Sequence, residues 1–136
     1  MSNYPQDKFE APDISGRWKY WGNIQNLTST GDFGPITSLS GFVDINQNNL
    51  FFTYTNTVLN INRVGVLTKN IQCVDGKTIT QWIGNSVNSG SDTTVKYTPY
   101  CYKNGKPTKI ITVGTSPGPV GTNSSTGVDT FYLERV

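Results

Sequence analysis

Ser15-Gly16-Arg17-Trp18 is the stretch on which the fold turns. A glycine lets the chain bend tightly into a first strand, and the tryptophan two places on is the largest apolar plug a barrel end can receive. Near the other end of the chain, Phe131, Leu133 and Arg135 alternate onto one face of a last strand. A guanidinium stacked on the indole would stopper a barrel where its first and last strands meet. The same residues also suit a plain core tryptophan with a surface arginine, so the segments between must decide.

Those segments read as strands joined by tight turns. Ile14 to Gln25 alternates as a strand, and 26–35 is a Gly, Ser, Thr and Asn loop. Ile36 to Asn46 and Leu50 to Val58 form a hairpin across Gln47-Asn48-Asn49, with Phe51, Phe52 and Tyr54 as strand-favouring aromatics. Arg63 to Val74 is one long strand, bending at Gly65 and Asn70, and Asp75-Gly76 turns it into Lys77 to Gly84 as a type I′ hairpin does. After a loop at 85–92, Thr93 to Tyr102 is a strand that Pro99 demotes to an edge or bulge, and Asn104-Gly105 turns it into Lys106 to Gly114. A long loop at 115–127 precedes Val128 to Val136. About eight strands in sequential hairpins, with no amphipathic helix, predict an all-β fold, an antiparallel up-and-down barrel. A two-sheet sandwich is the alternative, disfavoured because a Greek key needs longer crossings.

The 136 residues make one domain, with a polar flexible leader over 1–12 and a barrel over 13–136. The leader has no apolar core, so either a signal peptide has been removed or the chain stays inside the cell. Eleven Lys and Arg against nine Asp and Glu, with no run of like charge, point to neither nucleic acid nor a membrane as partner. No histidine is present, which removes the usual general base and the commonest zinc ligand. Asp129 and Glu134 fall on opposite strand faces, and no glycine-rich stretch carries the lysine of a phosphate loop. No enzyme, metal site or cofactor is therefore expected. Cys73 and Cys101 lie 28 positions apart, a spacing that suits one disulfide across neighbouring strands and leaves two free thiols equally open. Asn26-Leu27-Thr28 and Asn123-Ser124-Ser125 are glycosylation sequons, relevant only to a secreted protein.

Several segments together resemble the avidin family, biotin-binding barrels that include streptavidin. Thr53-Tyr54-Thr55-Asn56 looks like the family's third strand, where a tyrosine and a small polar residue two places later face the pocket. Thr78-Ile79-Thr80-Gln81-Trp82, followed by a polar loop and Thr93-Thr94-Val95, resembles the strands that carry a stacking tryptophan and a threonine. Gly127-Val128-Asp129-Thr130-Phe131 is similar to a Gly-x-Asp-Thr-Phe segment of the last strand. The segments occur in the family's order from Ser15 to Phe131.

The resemblance implies a small-molecule site for biotin or a similar ligand, formed by Asn23, Tyr54, Asn56, Trp82, Thr94 and Asp129. A cyclic urea needs donors at its oxygen and acceptors at its N–H groups, which Tyr54, Asn23 and Asp129 would supply while Trp82 stacks on the ring. Trp82 and Tyr54 are equally readable as core residues. Asp129 is not, because an inward carboxylate on the face of Phe131 and Leu133 is costly unless it is used.

Two of the family's stacking tryptophans are missing: Val113 is nearest to one, and 115–127 has no aromatic residue. Asp92 stands where a serine holds the ligand's carboxylate, and alternation places Lys96 inside with Thr94. A binding or structural barrel working through its polar loops, lectin-like or a surface module, is the second reading. Ile79 and Ile83, on the face away from Trp82, predict a homo-oligomer, dimer or tetramer.

Overall fold

The computed structural model describes residues 11–27, 32–88, 94–116 and 127–136. Eight antiparallel strands close into one barrel in sequence order: β1 (Gly16–Leu27), β2 (Phe33–Asn48), β3 (Phe51–Asn56), β4 (Ile61–Val74), β5 (Lys77–Asn88), β6 (Thr94–Lys103), β7 (Lys106–Ser116) and β8 (Gly127–Arg135). Each strand pairs with the next, and β1 pairs with β8, so the ring has no free edge along its closed part. The expected Asp75-Gly76 and Asn104-Gly105 turns are present, both residues of each having positive φ (52° and 77°, 53° and 80°), as a type I′ turn requires.

Strand lengths differ from the sequence reading. β2 begins at Phe33 and β5 runs on to Asn88, so parts of the loops expected at 26–35 and 85–92 belong to the sheet. Polar composition suggested loop there, but a barrel wall accepts polar residues on its outer face. β3 stops at Asn56, because residues 57–60 form the turn into β4. Pro99 lies where β6 has no β5 partner, since that ladder covers only Gly84–Val87 against Thr94–Tyr97. The missing N–H thus costs no ladder bond on that side.

Trp18, Tyr20, Val43, Ile45, Phe52, Leu67, Tyr97, Ile110 and Leu133 fill the interior. Trp18 stands opposite Arg135 in the β1–β8 ladder, and the guanidinium carbon lies 4.4 Å from the indole centroid. Arg135 also donates to the carbonyls of Pro107, Ser15 and Asp13, while the Trp18 indole N–H donates to Ile14 O at 3.0 Å. The Gln47 amide receives the Ile14 N–H at 2.7 Å and donates to Pro12 O at 2.9 Å. Residues 11–15 therefore cap this end, and the packed chain already includes Ala11 and Pro12 from the expected leader.

Beyond Val66 and Gly84, β4 and β5 pair only with each other, so their outer halves project as a two-stranded ribbon in which residues 71–80 are all exposed. Cys73 lies on this ribbon and Cys101 at a kink of β6 (φ 56°). Both are free, exposed thiols, so the disulfide open to Cys73 and Cys101 is not formed.

Candidate functional site

Alternation from Trp18 brings Tyr20, Gly22 and Ile24 inward along β1, and alternation from Leu133 brings Phe131 and Asp129 inward along β8. With Tyr54 and Asn56 from β3, Arg63 from β4, Tyr97 from β6 and Thr112 from β7, they enclose a cavity of about 70 Å³. It lies at the end opposite Trp18, toward the strand ends that flank 28–31, 89–93 and 117–126.

Asp129 is the cavity's half-buried acid. Burial pushes its carboxyl up from the ordinary value, while the Arg63 charge and the Gly114 backbone N–H oppose that shift. Gly114 is what makes room: a Cβ there would sit 2.6 Å from both Asp129 carboxylate oxygens. Tyr54 is held neutral, since burial first and the neighbouring Tyr97 second push its phenol far above the usual range. Burial likewise raises Tyr97 to about 12, against the lowering effect of its hydrogen bond with Ser86 (2.9 Å). Asn56, only 2 % exposed, donates to the Tyr20 hydroxyl at 3.1 Å and accepts the Leu59 N–H at 3.0 Å. It therefore fixes the β3–β4 turn and aims Tyr20 at the cavity.

Of the six residues expected at the site, Tyr54, Asn56 and Asp129 line one cavity. Asn23, Trp82 and Thr94 do not. Asn23 has the opposite parity to Tyr20 and faces outward, where its carbonyl accepts from Ser38 Oγ at 2.9 Å. Thr94 and Lys96 are outward too, because Val95 and Tyr97 take the interior of β6, and Thr94 meets Thr115 Oγ1 at 3.2 Å. Trp82 has inward parity but lies at the root of the ribbon, near Ala11 and Pro12, with Lys69 Nζ 5.7 Å from its ring centroid. Val113 is outward, 45 % exposed, so the neighbouring inward position on β7 is held by Thr112. Asp92 and Asn123 lie outside the described residues.

Sequence reasoning missed Tyr20, Arg63, Tyr97 and Ser86. Tyr20 was readable two places after Trp18. Arg63 was readable by counting back through the Asp75-Gly76 turn, which pairs it with Asn88 and puts it on the face of Gly65 and Leu67. Ser86 was hidden because its segment reads as loop. Among the described residues no group of three or more His, Cys, Asp or Glu side chains comes together to hold a metal ion. Comparison of the chain with protein-family models, with curated proteins and with solved structures finds no match in any of the three.

Proposed function

We propose that the chain is a small-ligand binding barrel of the avidin type, which takes biotin or a biotin-like molecule into the barrel end and performs no chemistry on it. The carrying observation is Asp129: a half-buried carboxylate on the cavity wall, seated over a glycine and in no ion pair among the described residues. The Gly114 N–H satisfies only part of this acceptor, which has room for further donors, and a ligand N–H would supply one. Tyr54, held neutral, remains a donor for the ligand's oxygen. About 70 Å³ is roughly half the cavity that holds one benzene ring, so the enclosed part receives only the tip of a ligand's head, with the rest directed to the open end.

Trp82 and Asn23 do not contribute, and Thr112 offers no stacking wall, so affinity falls far below that of a site lined by several tryptophans. Calorimetric titration tests the reading. Biotin should release heat, and Asp129→Ala should weaken binding by roughly 1.5–3 kcal/mol, the range for a hydrogen bond to a charged group. Absence of heat at millimolar biotin sinks the proposal. The interaction-module reading then takes over, favoured by Trp21 stacked on Tyr132 on the outer wall, each 41 % exposed. The same outer wall bears on assembly: Phe51, Val64 and Val87 form an exposed apolar strip, which supports a homo-oligomer.

A further inference from the structure

The ladder between β5 and β6 stops at Gly84 and Tyr97, although β5 begins at Lys77 and β6 runs on to Lys103. Continued in register, it would next pair Trp82 with Pro99, which has no N–H to give, and Thr80 with Cys101, whose φ of 56° is not extended. The two strands therefore part, and β5 keeps an unpaired edge. Hydrogen-bonded and non-hydrogen-bonded pairs alternate in an antiparallel ladder, and the two-residue Asp75-Gly76 turn makes Val74 and Lys77 a hydrogen-bonded pair. Thr78, Thr80 and Trp82 are then the residues whose N–H and C=O point away from β4, and among the described residues these groups meet no other strand.

This edge has a wall beside it. Thr80 and Trp82 line a groove of about 440 Å³ together with Pro99 and Tyr102 of β6 and with Ala11 and Pro12. The segments that flank it carry Lys69, Lys77, Lys103 and Lys106 against Asp13 and Asp75, and Lys106 already holds Asp13 at 3.4 Å. An unmade strand edge, an apolar wall and an excess of lysine thus meet at the end of the barrel closed by Trp18, away from the Asp129 cavity.

We propose that this edge of β5 docks an extended acidic segment of a partner protein, which adds as a strand beside Thr78, Thr80 and Trp82. Each of the three exchanges backbone bonds with the added strand, so the contact spans about five residues. Alternate side chains of the segment lie against Trp82, Pro99 and Tyr102, and its carboxylates answer the lysines. A second copy of this chain fits less well, because it brings the same excess of lysine to the contact. The inference does not rest on the small-ligand reading, which concerns the other end of the barrel.

The probe is a capped heptapeptide of alternating Glu and Val, set against one of alternating Lys and Val. By NMR on the full chain, the Glu peptide should bind at sub-millimolar concentration and slow amide exchange at Thr78, Thr80 and Trp82, with the Lys peptide about tenfold weaker. Thr80→Pro removes a donor from the free edge without touching a bond to β4, so it should fold and bind the Glu peptide about tenfold more weakly. Lys77→Glu alters an exposed side chain beside the turn, serves if the proline variant does not fold, and should narrow the preference for Glu over Lys.

Equal binding of the two peptides removes the acidic partner. Undiminished binding of the Glu peptide to folded Thr80→Pro removes the edge, and so does slowed exchange at Ile71 and Cys73 of β4 in place of the β5 amides. Slow exchange at Thr78, Thr80 and Trp82 before any peptide is added means that the edge is already covered, by residues 1–10 or by a second copy, and overturns the proposal. Absence of binding at millimolar Glu peptide overturns it as well.

Discussion

Asp129 couples the cavity to the stability of the fold. Its carboxyl titrates above the ordinary value of 3.8 because burial disfavours the charge, so the folded chain holds this proton more tightly than the unfolded chain. The stability it contributes is complete below 3.8 and is lost as pH rises through the raised value. Asp129→Asn keeps an oxygen for the Gly114 N–H and removes the charge. The variant should therefore melt higher than the wild type at neutral pH, with the gap closing as pH falls below 3.8; an equal gap at both ends contradicts the assignment. Asp129 was legible in the sequence because Phe131 and Leu133 share its parity and fix its side of the wall. Asn23 and Thr94 were assigned by analogy of motif, and a one-residue offset in a strand sends a side chain to the other face. Arg63 escaped notice because charged residues in strands are ordinarily outward, and only the register through a distant turn turns this one inward.

At the scale of elements, β3, β4 and β5 are locked by close approach. A Cβ on Gly65 would lie 2.2 Å from the Phe52 ring, and one on Gly84 would meet the same ring at 3.2 Å. Phe52 is 2 % exposed and packs edge-on against Tyr97 at 5.1 Å, so it has little room to move. Gly65→Ala should cost about 1–3 kcal/mol in denaturant melts, the usual range for overpacking, and an unchanged midpoint would show the ring to be free to shift. The sequence marked Gly65 as a bend, yet its use is to admit a ring from the neighbouring strand. Strand existence, order and the two type I′ turns were readable from alternation and from Asp-Gly and Asn-Gly. The ends were not, because Asn85 to Asn88 have loop-like composition but pair with β4, and Phe33 pairs with Leu27 across a register shift in the β1–β2 ladder. Trp82 failed for a related reason: parity put it inward, but the long β4–β5 hairpin carries it past the point where its neighbours stop pairing.

For the molecule as a whole, closure of the ring turns one side of the wall to the core and the other to solvent. That wall is unevenly polar. Phe51, Val64 and Val87 are 63, 59 and 54 % exposed, and they flank one open groove on β3, β4 and β5. The expectation from Ile79 and Ile83 relocates accordingly, since Ile79 sits on the projecting ribbon and Ile83 is half-buried. An apolar strip on adjacent strands costs hydration in a monomer and is removed from water when a second copy covers it. Light scattering at micromolar concentration should therefore give at least twice the monomer mass of 15.0 kDa. Val64→Lys places a charge in the middle of the strip, where it extends into solvent in a monomer and would be buried in a dimer. That variant should run as a monomer with its melting temperature little changed by loss of folded structure, because Val64 is outside the core. A wild type that is already monomeric, or a lysine variant that still pairs, would mean that this strip is not the contact.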